Sequence, residues 1–193
     1  MKTLHQYIKE KLIINKDYRD NMIVVKTFDE LRKIIEDRYD KLGAGTKRKP
    51  IDFNDIDVSN LDSFCGNDDN GLYNGLFEKT KFKYIDISDW DVSNVKSMFA
   101  IFARCNKLES VGDISEWNVS KVTNMQYMFF GCTSFNQDIS NWDVSNVTYM
   151  TCMFHGCENF NQDLSGWNLS KVRFKSGIFT DCPIKDEYKP KFK

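Results

Sequence analysis

Residues 142–147 read WDVSNV, and nearly the same phrase stands at 90–95 (WDVSNV), 117–122 (WNVSKV) and 167–172 (WNLSKV). Trp90, Trp117, Trp142 and Trp167 are all the tryptophans of the chain, spaced 27, 25 and 25 residues apart. A fixed period of this size predicts a solenoid. One coil cannot bury its own apolar face, so coils stack and the core forms between them.

The period extends beyond the tryptophan. Phe102, Phe129, Phe154 and Phe179 recur at one position, and Cys105, Cys132, Cys157 and Cys182 each follow three residues later. These residues, with the four tryptophans, are read as the repeated core. Cysteines at one repeat position read as small packed side chains rather than a disulfide framework. After each tryptophan the pattern Val147, Met150, Met153, Phe154 places apolar residues on one face of a helix or 3₁₀ turn. Before it, short parallel strands are expected around Ile87, Ile114, Ile139 and Leu164. The serines at 59, 93, 120, 145 and 170 are read as turn-forming or capping hydroxyls.

An irregular first copy opens near Ile51. Asp57-Val58-Ser59-Asn60-Leu61 matches the later phrase, with Ile56 in the tryptophan place, and the next copy starts 34 residues on. The added length falls in the turn-rich CGNDDNG at 65–71. In the last copy Lys175 stands where Met98, Met125 and Met150 stand earlier, a polar change expected where a coil lacks a neighbour. The rhythm therefore breaks at the 65–71 loop and the 107–112 step. Those are the first places to look for function.

Residues 1–50 do not repeat. Leu4, Ile8 and Leu12 suit an amphipathic helix over Lys2–Ile14, and Met22–Val25 a strand. Thr27 and Glu30 form a capping-box pattern ahead of Leu31, Ile34, Ile35, Arg38 and Tyr39, with Gly43 as the stop. Lys47-Arg48-Lys49 is read as solvated loop charge. The expected architecture is an α/β solenoid, leucine-rich-repeat-like, of about five coils built from short parallel strands and short helical turns. A cap covers 1–50, the solenoid 51–182, and a charged tail 183–193.

The chain has 193 residues, 41% hydrophobic and 14% aromatic, enough for a real core. No apolar run is long enough to cross a membrane, and the charged start has no signal-peptide h-region. A cytoplasmic site of action is expected. Residues 51–182 carry 10 Lys+Arg against 18 Asp+Glu, so the repeats should repel nucleic acid.

The copy at 122–145, VTNMQYMFFGCTSFNQDISNWDVS, resembles the mycoplasma-lipoprotein-type, BspA-like leucine-rich repeats. The resemblance covers about 51–182, and residues 22–60 resemble the cap that often precedes such repeats. Family members occur as bacterial surface proteins, in some protists and in phage genomes. The resemblance implies protein binding or adhesion rather than an enzyme activity.

Candidate functional residues are weighed against that background. Asp86, Asp113, Asp138 and Asp163 recur one position before the strand's apolar residue and would line one face; Asp91, Asn118, Asp143 and Asn168 follow the tryptophans. Such ladders bind Ca²⁺ in some repeat proteins, but the glycine-rich turns of those sites are missing here. No metal and no cofactor is expected, and no nucleophile–base pair, phosphate loop or zinc motif is found. Tyr127, Phe130 and Tyr149 interrupt otherwise variable positions and suit a protein partner, because aromatic side chains concentrate binding energy. The expected function is a non-enzymatic protein-binding solenoid of phage or bacterial origin, acting inside a cell on a host protein, which in its sharper version it inhibits. The alternatives are a surface or adhesion protein of the BspA-like type and an enzyme with an unrecognised site.

Overall fold

The computed structural model of the chain describes residues 22–67 and 73–192. The helix expected over Lys2–Ile14 and the centre of the 65–71 loop lie outside them.

The cap starts with a strand, β1 (Ile23–Val24), where the short β-branched run predicts one. A 15-residue helix follows, α1 (Phe28–Leu42). Thr27 caps it: the side chain accepts the Glu30 N–H at 3.2 Å, and Glu30 Oε2 accepts the Thr27 N–H at 3.2 Å, a reciprocal box. The Gly43 N–H closes the last turn on the Tyr39 carbonyl at 2.8 Å. Leu31 and Ile35 are buried, and Tyr39 meets the Phe82 ring edge-on at 5.0 Å. Arg38 grips both carboxylate oxygens of Asp55 at 2.7 Å, which ties the outer face of α1 to the first copy.

The first copy contributes β2 (Ile51–Asp52), β3 (Ile56–Asp57), β4 (Cys65–Asn67) and β5 (Tyr73–Gly75); the second contributes β6 (Ile85–Asp86). β1 pairs parallel with β3 and β2 with β6, while β4 and β5 form an antiparallel pair flanking the inserted loop. Gly75 has no room for a side chain, because a Cβ there would lie 1.9 Å from the Ala100 carbonyl oxygen.

From copy to copy the connection is a ladder of parallel bridges: Ser63 to Ser97, Ser97 to Asn124, Asn124 to Tyr149, Tyr149 to Phe174. It lies after the tryptophans; before them parallel pairing is confined to the first three copies, β2 with β6 and Tyr84 with Ser110, where Ile87 N–H also reaches the Val111 carbonyl at 3.0 Å. At Ile114, Ile139 and Leu164 no strand forms, and near Ile87 the strand is the two residues Ile85–Asp86. The reason is local. In each copy the aspartate before the apolar residue accepts the N–H two residues on, and the tryptophan N–H returns to the apolar residue's carbonyl, as from Trp142 to Ile139 at 3.2 Å. Both bonds bend the backbone out of extension.

The helical face expected over 147–154 is also built differently. Copies two to four each make two consecutive four-residue turns; in one, Met153 N–H returns to Met150 O at 3.2 Å and Cys157 N–H to Phe154 O at 3.1 Å. The third residue of each turn sits in the left-handed region: Tyr127 (φ 57°) and Gly131 (67°), then Cys152 (54°) and Gly156 (69°). Consecutive tight turns share the spacing of three that suggested a helix. Alternate N–H groups point instead to the next copy: Met150, Cys152, Phe154 and Gly156 donate to Phe174, Ser176, Ile178 and Thr180 at 2.8–2.9 Å.

The core runs between copies. Phe77, Phe102, Phe129, Phe154 and Phe179 lie ring on ring at 5.5, 5.5, 5.6 and 5.7 Å, nearly parallel. Cys105, Cys132 and Cys157 are buried, and each thiol donates to a carbonyl of the preceding copy: Phe77 at 2.8 Å, Phe102 at 2.8 Å and Phe129 at 3.0 Å. Burial pushes the Cys105 thiol up to about 11 and raises Cys132 and Cys157 as well, so all three stay protonated as donors. At the end of the row Phe179 and Cys182 are half-buried. The indoles of Trp90, Trp142 and Trp167 donate to Phe53, Ile114 and Ile139 carbonyls at 2.9, 2.8 and 3.3 Å. Trp117, which follows the 107–112 step, is equally buried, but its indole N–H finds no hydrogen-bond partner among the described residues.

Candidate interaction surface

The aspartate ladder is made of turn-formers. Asp113, Asp138 and Asp163 each accept the N–H of the serine two residues on, at 3.0, 2.9 and 2.9 Å, and all three are exposed. Asp86 is half-buried and accepts both the N–H and the hydroxyl of Ser88, at 3.1 and 2.7 Å. The row after the tryptophans works in the same way, with Asp143 and Asn118 holding Ser145 and Ser120. The repeated serines thus offer their backbone N–H, and the preceding Asp or Asn does the capping.

These bonds have an electrostatic consequence. Backbone and hydroxyl donors from Ser115, Ser140 and Ser165 hold the carboxyls of Asp113, Asp138 and Asp163 below the ordinary carboxylate value. A folded-state value below the unfolded one stabilises the fold above the ordinary carboxylate range, and the contribution is lost as pH falls through the lowered values. Asparagine at the same place would keep the acceptor without titrating, as Asn118 and Asn168 do for Ser120 and Ser170. The triple variant Asp113→Asn, Asp138→Asn, Asp163→Asn is therefore expected to lose less stability than the parent between about pH 5 and pH 2.5. Urea midpoints across that range check this, and equal losses would mean the ladder does not set the acid response.

The aromatic residues take a different place, on the turns after the tryptophans. Tyr127 meets Phe130 edge-on at 5.8 Å. The row continues on both sides: Tyr73 to Phe99 at 6.1 Å, Phe99 to Tyr127 at 5.7 Å, Phe130 stacked on His155 at 5.0 Å. Arg104 lies over the Phe130 ring at 5.7 Å, and His155 Nε2 is 3.8 Å from Asp181. Five rings therefore cross from the first copy to the fourth, with Tyr73 at 67% exposure. Tyr149 instead forms a parallel pair with Phe174, centroids 4.6 Å apart, at 40% and 48% exposure. The aspartates bond within their own turns, and among the described residues no ring contact joins them to either aromatic feature. Tyr73, Phe99, His155 and Phe174 were not among the residues singled out from sequence. Phe174 could have been found, because it occupies the same repeat position as Tyr149.

A cleft of about 410 Å³ sits where the 107–112 step meets the Lys47 loop, lined by Lys47, Tyr84, Asp86, Glu109, Ser110 and Gly112, among others. Glu109 accepts from the Tyr84 hydroxyl and pairs with Lys83 at 2.9 Å. Those two donors hold the Glu109 carboxyl below its ordinary range, and Glu109 in turn raises both Lys83 and Tyr84. The cleft's charges thus satisfy one another. Among the described residues, no three His, Cys, Asp or Glu side chains converge on a possible metal position, and no helix is long and apolar enough to cross a membrane.

A family model described as "Mycoplasma protein of unknown function, DUF285" matches residues 72–189, and the chain belongs to that family. The family is associated with BspA-like mycoplasma repeat proteins, and its match takes in all four tryptophan phrases and both aromatic features. No curated protein and no solved structure matches the chain.

Proposed function

We propose that the chain is a non-enzymatic, leucine-rich-repeat-like α/β solenoid that binds another protein, with the row Tyr73, Phe99, Tyr127, Phe130 and His155 at the centre of the contact. The observation that carries the reading is Tyr127 itself. Its φ of 57° lies in the left-handed region, where a Cβ costs about 1–2 kcal/mol and glycine costs nothing. The same position in the last copy is Gly177. A bulky ring held there at a conformational cost, half-exposed and joined to other rings, is explained by what it presents outward. Arg104 over Phe130 adds the second residue type favoured in binding hot spots.

In its sharper form the protein is of phage or bacterial origin and inhibits a host protein, its acidic repeats occupying a basic host surface. The balance of 18 Asp+Glu against 10 Lys+Arg over residues 51–182 supports that form. Because Asp138→Asn and Asp163→Asn keep their turns, a loss of affinity and of salt dependence in that double variant would report charge alone.

The main test uses Tyr127→Gly. A partner is captured from host lysate, identified by mass, purified, and its affinity measured for parent and variant. The variant should bind at least roughly thirtyfold more weakly, about 2 kcal/mol. Its stability should change by less than about 1 kcal/mol, since relief of strain offsets the added freedom of the unfolded chain. Unchanged affinity for every captured protein would refute the role of the row.

A further inference from the structure

Four alternate N–H groups of each turn segment donate forward, to the following copy, while the two residues before them donate back, as Thr148 and Tyr149 do to the Thr123 carbonyl. Met98, Ala100, Phe102 and Arg104 donate their N–H groups to copy three; Met125, Tyr127, Phe129 and Gly131 donate to copy four; Met150, Cys152, Phe154 and Gly156 donate to copy five. The equivalent groups of the last copy are the N–H of Lys175, Gly177, Phe179 and Asp181. None of the four finds an acceptor among the described residues. Among the described residues the last copy therefore leaves this row of four donors open, beside the Arg173 carbonyl, whose counterparts at Thr123 and Thr148 accept from the following copy.

The described residues of the C-terminal tail do not fill the row. The tail turns aside through a short 3₁₀ helix at Asp186–Tyr188, where the Tyr188 carbonyl accepts from Leu164 at 2.9 Å and Lys185 N–H reaches Asn161 at 3.0 Å. Farther on, Phe192 comes under Lys175 Nζ at 4.7 Å, through its ring rather than a carbonyl. A second copy of the chain fits poorly. Two such ends face to face would oppose donors to donors. The other end carries α1 against β4, with the Phe28 ring beside Gly66.

Charge narrows the occupant further. Residues 51–170 hold 17 Asp+Glu against 7 Lys+Arg, and residues 171–193 reverse this with 3 against 7. Arg173 and Lys175 are exposed on either side of Phe174, which extends the ring pair from Tyr149 and is 48% exposed. An unpaired backbone edge is a template for another strand, and its flanking side chains choose which one.

We propose that the last copy is a docking edge for an acidic segment of a partner protein that takes up the same consecutive turns. The segment's main-chain carbonyls accept from Lys175, Gly177, Phe179 and Asp181, so that it is added as a further copy in trans. An aromatic side chain on it continues the stack over Phe174, and its carboxylates pair with Arg173 and Lys175. The edge uses none of the five rings of the aromatic row, so either surface can fail alone.

The probe is a capped Glu-rich peptide of about ten residues, with one Tyr and with glycine at the third place of each turn, titrated into ¹⁵N-labelled full chain. Hydrogen exchange at the four amides should slow by at least roughly tenfold at saturation, because they gain acceptors. The double variant Arg173→Glu, Lys175→Glu should bind at least roughly tenfold more weakly with an unchanged melting temperature, and a peptide carrying Lys for Glu should not bind. Three results would overturn the proposal: no binding at about 1 mM peptide, binding that leaves the four amides unprotected, or protection without peptide that grows with protein concentration. The last would assign the edge to a second copy.

Discussion

Phe154→Ala is expected to lower the melting temperature by roughly 6–20 °C, because truncating a buried phenylalanine costs about 3–5 kcal/mol and a chain of this size loses about 2–4 °C per kcal/mol. Phe154 is fully buried and lies inside the phenylalanine row, between Phe129 at 5.6 Å and Phe179 at 5.7 Å. Phe160 packs on it from within its own copy at 4.3 Å, and Trp167 lies 6.3 Å away. Removing the ring therefore opens a cavity that two copies share, and neither backbone can close it without breaking the turn ladder from Met150–Gly156 to the last copy. Phe179→Ala should cost less. Phe179 is half-buried and has a neighbour on one side only, so water can fill part of the space. Calorimetry on both variants tests this. An unchanged melting temperature for Phe154→Ala, or a larger loss at Phe179, would contradict the row as the core.

What local chemistry encodes was legible in the residues. Thr27 and Glu30 cap α1 because the box needs only four consecutive residues, and Gly43 ends it for the same local reason. The recurring Trp, Phe and Cys land in the core because identical side chains at one period meet across copies. The secondary structure within a copy was less legible. A spacing of three cannot separate a helical face from two consecutive tight turns. The discriminating signal was the glycine before two of the four repeated cysteines, Gly131 and Gly156, where the left-handed backbone of the second turn falls. The strands expected at Ile114, Ile139 and Leu164 failed because the aspartate ahead of each bends the chain, and an alternation of polar and apolar residues does not reveal that bend. The aromatic row was half legible. Tyr127 and Phe130 were visible as irregularities, but Tyr73, Phe99 and His155 occupy different places in different copies. No period announces them, and only the fold brings them together.

The second large effect concerns the architecture. If the copies are interchangeable coils of a solenoid, the chain should tolerate loss of one whole period and should not tolerate loss of half of one. Deleting residues 125–149 joins Asn124 to Met150, which is followed by the same turn pattern as Met125. Every remaining ladder group keeps an equivalent partner: the Met98 N–H, which donates to Asn124, is unaffected, and the turn beyond it is supplied by copy four. The cost is one set of nearest-neighbour contacts. Deleting residues 125–136 removes a turn segment but leaves its Trp142 phrase, so the phenylalanine row and the tryptophan row can no longer be in register together.

Thermal unfolding of these two deletions, followed by circular dichroism and calorimetry, is the most direct measurement. The solenoid account predicts one cooperative transition at reduced temperature for the 125–149 deletion and none for the 125–136 deletion. Loss of cooperative folding in the full-period deletion, or equal tolerance of both, would contradict it.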